Sequence, residues 1–174
     1  PILVELAMGE RASPRAPMSG GVGPRPLADE ARGPQRMVVT LQLEVAKRLL
    51  AEPGTPDYGV LTLLVQLDYE PQTSFKIPAS CFFPEPDVDS ACVCLARRAQ
   101  PLLRPGQRDT FARIVKRSFS QRRKMMLKLL KEDWPEPCLA AEFERLNLSP
   151  WVRAEQVSLD QFARMAQALS RNAE

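Results

Sequence analysis

Histidine is absent from all 174 residues. Its absence excludes imidazole acid–base relays, Ser-His-Asp triads and the commonest metal ligand in one step. Cysteine is scarce: Cys81, Cys92, Cys94 and Cys138 include no Cys-x-x-Cys pair, so no zinc or other metal site is expected. Cys92 and Cys94 would share one face of a strand, where a bridge between them would be badly strained. All four are expected as small buried hydrophobes in a reducing cytoplasm. No apolar run approaches the roughly 18–20 residues that span a bilayer, and no signal segment is visible, so no membrane role is expected. The chain opens on Pro1 rather than Met, and further sequence upstream is expected for that reason. A phosphate loop at Gly20-Gly21-Val22-Gly23 is rejected: no Gly-Lys-Ser/Thr follows, Pro24 interrupts, and no strand precedes.

What is present has globular proportions, 44% apolar and 26% charged, in a chain long enough for one domain or a domain and a half. Charge is concentrated. Residues 107–131 hold nine Lys/Arg against one acid, Asp109, a local +8 in a chain of net +3. One basic face on an otherwise acidic molecule is the footprint of a polyanion partner. A merely solvated face is the simpler reading. Two features argue against it for Arg122-Arg123-Lys124 with Lys116, Arg117 and Lys128: acidic i+4 partners are not expected for this group, and Arg122-Arg123-Lys124 sits at a predicted helix start, where positive charge opposes the helix dipole unless an anion arrives.

Along the chain, residues 1–9 read as a short helix with Pro at its first turn and Gly at its end. Residues 10–35 read as a flexible Gly/Pro-rich loop. Met37–Gln42 is a β-branched strand, followed by a helix with Val45, Leu49 and Leu50 on its apolar face that ends near Pro53-Gly54. A second apolar helix spans Tyr58 to about Gln66, and Leu67–Ile77 is a strand interrupted by Pro71. Ala91-Cys92-Val93-Cys94-Leu95-Ala96 reads as a central strand buried on both faces. Proline at 101 and 105 marks a linker, and helices follow. Phe111, Ile114, Val115 and Phe119 form an apolar stripe. Ser120 is expected to cap a helix containing Arg122–Lys131. Further helices lie near 137–147 and 159–170, the last announced by the capping box Ser158-Leu159-Asp160-Gln161.

The most informative stretch is Phe82-Phe83-Pro84-Glu85-Pro86-Asp87-Val88-Asp89-Ser90. Pro84 and Pro86 fix their own φ angles, remove two donors and push Phe83 and Glu85 into extended conformation. The result is a stiff loop with an aromatic pair at its entrance. Adjacent strand residues point to opposite faces, so the sheet buries at most one of the two rings, and the other is free to stack on a planar ligand. Glu85, Asp87 and Asp89 have turn and capping roles as their expected use.

Taken in order, these residues resemble a known family. Pro1-Ile2-Leu3, Arg36-Met37-Val38-Val39 with Gln42-Leu43-Glu44-Val45-Ala46, Tyr58-Gly59 with Leu61, Phe82-x-Pro84-x-Pro86-x-Val88-Asp89-Ser90, and Phe119-Ser120-Gln121-Arg122-Arg123-Lys124 together resemble the distal half of the bacterial rRNA adenine N6,N6-dimethyltransferases of the small-subunit type. The resemblance covers about residues 1–8 and 36–170. It implies an α/β fold: residues 1–99 as the C-terminal portion of a Rossmann-like S-adenosylmethionine-dependent methyltransferase sheet, and residues 100–174 as a small all-helical rRNA-binding domain. By the same resemblance Phe82 stacks on the flipped-out target adenine, with Phe83, Pro84 and Pro86 forming the loop of the base pocket. Arg122, Arg123 and Lys124, with Lys116, Arg117 and Lys128 beside them, lie against rRNA. The implied activity is dimethylation of adjacent adenines in small-subunit (16S) rRNA by S-adenosylmethionine during ribosome biogenesis. The implied setting is a cytoplasmic monomer acting on the pre-30S particle.

The chain departs from that family's pattern in having no Gly-x-Gly-x-Gly after a first strand, no acidic ribose ligand and no Asn-Leu-Pro-Tyr tetrapeptide. No catalytic residue is therefore expected in this chain, and alone it is expected to be inactive. The alternatives are a non-catalytic module that docks on rRNA during subunit assembly and, more weakly, a DNA-binding helical domain.

Overall fold

The structure, a computed structural model, describes residues 33–170. The expected helix at 1–9 and all but the last three residues of the 10–35 loop lie outside the described residues. Strand β1 (Arg36–Gln42) runs directly into helix α1 (Leu43–Leu50). Helix α2 (Val60–Gln66), strand β2 (Tyr69–Ile77) and strand β3 (Ser90–Arg97) follow. The three strands form one antiparallel sheet in the order β1-β3-β2, so β3 is central, as its apolar run predicts. In register, Val39 and Ser74 flank Val93. Pro71 has no N–H to give the ladder, and the register shifts between it and Thr73, which is how a sheet accommodates a proline.

The expectation that β3 is buried on both faces is corrected. Ala91, Val93 and Leu95 are buried, packed with Ala46 and Leu49 of α1 and Val65 of α2. The opposite face carries half-buried Cys92 and Cys94 between Val38 and Phe75, which are 66% and 63% exposed. Both helices that follow β1 pack on the same side, and alternation puts every second side chain on the other. The cysteines are corrected with it. Cys81 is exposed and the other three are only half-buried.

Beyond the sheet come α3 (Gln107–Ser118), the short α4 (Met126–Leu130), α5 (Glu136–Arg145) and α6 (Leu159–Leu169). Their core joins Phe111, Ile114 and Val115 of the predicted stripe to Met126, Leu130, Leu139, Phe143 and Phe162. Helix α2 belongs to both apolar clusters, with Val65 turned to the sheet and Leu63 and Leu64 to the helices. Side-chain contacts help fasten the parts together. The Tyr58 hydroxyl donates to the Val157 carbonyl at 2.9 Å, Arg108 forms a two-pronged pair with Asp68, and Phe119 packs edge-on to Tyr58.

The capping box of α6 is present in full: the Gln161 N–H donates to Ser158 Oγ, and the Ser158 N–H to Gln161 Oε1 at 2.9 Å. Helix α5 ends where Asn147 takes a φ of 52°, a left-handed stop that Asn tolerates well. Ser120, in contrast, caps nothing. Its hydroxyl donates to the Arg117 carbonyl, residues 120–125 form a turn, and α4 starts only at Met126. The Met126 N–H goes instead to the Val152 carbonyl at 3.0 Å. A tertiary hydrogen bond thus sets the start of α4, and three consecutive cations stay out of a helical first turn, where the dipole disfavours them. No helix among the described residues is long and apolar enough to cross a membrane.

Candidate nucleic-acid interface

The loop joining β2 to β3 hangs from one end of the sheet and is closed by Asp89. Asp89 Oδ1 accepts the Ala79 N–H at 3.0 Å, its Oδ2 pairs with Lys76 Nζ at 2.7 Å, and its own carbonyl accepts the Leu43 N–H at 2.9 Å. The Lys76 and Ala79 hydrogen bonds hold the Asp89 carboxyl below its ordinary range. Asp89 therefore ties together β2, the loop and the start of α1, the turn role its position predicts. After the short turn Ala79–Cys81, Phe82 is extended at φ −116° and ψ 152°, and the Phe83–Pro84 bond is cis. Phe82 is 38% exposed and Phe83 fully so. Both rings stand in solvent on a loop of two prolines. The sheet buries neither, because the pair precedes β3 instead of lying within it.

The basic run separates into two groups. Arg117 pairs with Glu132 and, at 3.1 Å, with Asp133. Arg113 lies over the Trp134 ring at 5.0 Å, and Lys131 pairs with Glu136 at 2.6 Å. The expectation that the charges lack acidic partners is thus corrected: acids at 132, 133 and 136 answer them across the fold, where a search at i+4 within the run does not look. Arg122 is intermediate, donating to the Pro56 carbonyl at 2.7 Å and lying 4.0 Å from Glu155. Lys116, Arg123, Lys124 and Lys128 are exposed and have no ion pair among the described residues. They form the free part of the basic surface.

A cleft of about 740 Å³ opens beside Arg122, walled by Arg48, Tyr58, Leu61, Leu64 and Phe119. Sequence reasoning missed it, because its walls come from α1, the 51–59 connection, α2 and the end of α3, which no single periodicity links. Burial pushes the Tyr58 phenol well above its ordinary range, so it stays a neutral donor to Val157. The predicted site residues are not brought together by any direct polar contact. The loop's bonds go to Lys76, Asp89 and Leu43, those of the basic turn to Pro56, Val152 and Glu155.

The family model described as Ribosomal RNA adenine dimethylase matches residues 25–171. The Ribosomal RNA small subunit methyltransferase A of Pelotomaculum thermopropionicum is 43% identical over 133 residues, covering 75% of this chain and 45% of that protein. The chain spans about half the length of the curated relatives it matches. Among solved structures, the 23S rRNA methyltransferase ErmE aligns with a TM-score of 0.57 at 25% identity, over 78% of this chain and 55% of that one. A dimethyladenosine transferase from Plasmodium falciparum aligns with a TM-score of 0.66 at 23% identity, over 80% and 58%.

Proposed function

This chain belongs to the ribosomal RNA adenine dimethylase family, and on that premise we propose that it is the base-presenting and RNA-docking portion of a cytoplasmic enzyme that N6,N6-dimethylates adjacent adenines of small-subunit rRNA during ribosome biogenesis. One observation carries the reading. Phe82 stands part-exposed on a proline-stiffened loop at the end of the central strand, and Asp89 fixes that loop before any ligand arrives. A ring held in place beforehand lowers the ordering cost of binding. In this reading Phe82 stacks on the flipped adenine, and Phe83, Pro84 and Pro86 shape the pocket around it. Residues 1–99 are part of the methyltransferase domain and 100–174 the helical RNA-binding domain, its cations Lys116, Arg122, Arg123, Lys124 and Lys128 facing phosphates while Arg117, paired with Glu132 and Asp133, holds the fold beneath them.

S-adenosylmethionine supplies the methyl group in such enzymes. The residues described here do not fit it: β1 passes into α1 with no glycine-rich turn between Gln42 and Leu43. This chain's own contribution is to hold the base and the surrounding RNA, a positioning task that needs no histidine. The rival reading is a docking module that binds rRNA without methylating it. A methyl-transfer assay on small-subunit rRNA, run with the protein that contains this chain, separates the two. Transfer to adenine N6 is expected; tight rRNA binding without transfer supports the docking module, and preference for duplex DNA over rRNA at fixed salt overturns both.

A further inference from the structure

The basic turn has an aromatic neighbour. Residues 149–152 fold back tightly: Pro150 fixes its own φ, the Val152 N–H donates to the Ser149 carbonyl at 3.0 Å, and the Trp151 N–H donates to Ser149 Oγ at 3.3 Å. This turn is fastened to the basic turn at its base. The Val152 carbonyl takes the Met126 N–H, and three residues further on Glu155 approaches Arg122. Trp151 is thus one residue from a hydrogen bond whose other end is two residues from Lys124 and three from Arg123. The indole is 73% exposed. The chain's other tryptophan, Trp134, is buried under Arg113. The remaining exposed large apolar side chains among the described residues, Val38, Phe75, Phe82, Phe83 and Val88, all lie on the sheet or its hairpin loop. Among the described residues Trp151 is the one exposed large apolar side chain on the helical part, on a turn whose backbone is hydrogen-bonded to the start of α4, just after Arg123 and Lys124.

We propose that Trp151 is a second base-stacking residue, which takes the face of an unpaired nucleotide whose flanking phosphates are held by Arg123, Lys124 and Lys128. The inference rests on the reading of this chain as an RNA-docking piece and adds a contact that phosphate binding alone does not supply. Unpaired cations together with an exposed ring are what single-stranded nucleic acid requires, since the cations follow the backbone and the ring accepts any base. A paired helix hides its base faces and offers the indole nothing. A protein partner fits less well, because the buried centres of protein interfaces are depleted in charge, and the backbone turn bearing this ring is hydrogen-bonded to the segment that carries Arg123, Lys124 and Lys128, exposed cations without an ion pair among the described residues. The base at Trp151 anchors RNA away from the hairpin loop and is not the one presented by Phe82.

The test uses the full 174-residue chain, its Trp151→Ala and Trp151→Phe variants, a fluorescein-labelled RNA hairpin with an adenine-rich loop, and a blunt RNA duplex of the same stem. Trp151→Ala is expected to raise the hairpin Kd by about 5- to 150-fold, the range of one base–ring stack. Trp151→Phe should recover most of the loss, and duplex binding should stay within about twofold. Indole fluorescence should be quenched on hairpin binding in the wild type and not in Trp151→Phe, since Trp134 is buried. Unchanged hairpin affinity in Trp151→Ala, an equal loss on hairpin and duplex, or absent quenching would overturn the stacking role while leaving RNA docking intact. A wild-type chain that binds neither RNA at low salt overturns the docking reading and this inference with it.

Discussion

Replacing Arg123, Lys124 and Lys128 together by Ala should change how rRNA binding responds to salt far more than it changes the fold. None of the three has an ion pair among the described residues, and all are exposed, so their loss removes no contact of consequence there. If each faces a phosphate, each lost contact lowers the slope of log Kobs against log[salt] by about 0.7–0.9. Three contacts flatten the slope by roughly 2–2.7, which narrows the gap between wild type and variant by about 20- to 40-fold from 50 to 200 mM salt. Replacing Arg113 and Arg117 removes the same kind of charge from the same run with a different consequence. Those side chains serve Trp134, Glu132 and Asp133, so the expected effect is a lower melting temperature with less change in slope. The assay is a fluorescence-anisotropy titration of a small-subunit rRNA fragment at four salt concentrations, paired with thermal melts. Parallel salt lines for wild type and the triple variant, or a larger slope change in the Arg113/Arg117 variant, would refute the division of the run into ligand-facing and fold-holding cations.

Two further outcomes follow from the hairpin loop. In the protein that contains this chain, Phe82→Ala should lower the methylation rate by about 5- to 150-fold while rRNA affinity changes by no more than about threefold, because one stack of about 1–3 kcal/mol is lost from the target base alone; an unchanged single-turnover rate removes the stacking role. Asp89→Asn should flatten the acid limb of the stability curve: a carboxyl lowered in the folded state stabilises fully above its ordinary value of 3.8 and loses that contribution as pH falls through the lower folded value. Melting temperatures of both proteins from pH 2 to 6 should converge at the acid end, and curves that stay parallel throughout would show that Asp89 does not couple to folding.

Legibility followed the range of the interactions. Elements governed by local rules were readable: the capping box at Ser158 and Gln161, the stripe of Phe111, Ile114 and Val115, and β3 as the central strand. The Pro-x-Pro loop was readable for the same reason, because proline acts on its own residue and the one before it. What failed was decided across the fold. The helix expected from Ser120 is displaced to Met126 by a hydrogen bond to Val152, 26 residues away in sequence. The two-faced burial of β3 depends on which side α1 and α2 take. The cleft beside Arg122 is assembled from four segments, and nothing in the spacing of Arg48, Tyr58 and Phe119 relates them.

The basic run shows why a charge count is a weak guide to a binding surface. Nine cations against one acid over residues 107–131 suggest a uniform face. In three dimensions Glu132, Asp133 and Glu136 answer Arg117 and Lys131, and Asp68 answers Arg108. Surface pairs of this kind add little stability each, about 0–1 kcal/mol, yet they fix where a guanidinium points and screen it from a second anion. Among the described residues, the cations of the run without an ion pair are Lys116 on α3 and Arg123, Lys124 and Lys128 on the 120–125 turn and the adjoining α4, the region whose backbone is fastened to the turn bearing Trp151. In the proposed reading, the phosphate-holding cations and the aromatic platform share one local arrangement, in which the Met126 N–H, without a partner inside its own helix, donates to the Val152 carbonyl. Releasing that bond is expected to let α4 grow toward Ser120 and draw Arg123 and Lys124 into a helical turn, so in the proposed reading the shape of the turn, more than the number of its charges, fits this face to hold RNA.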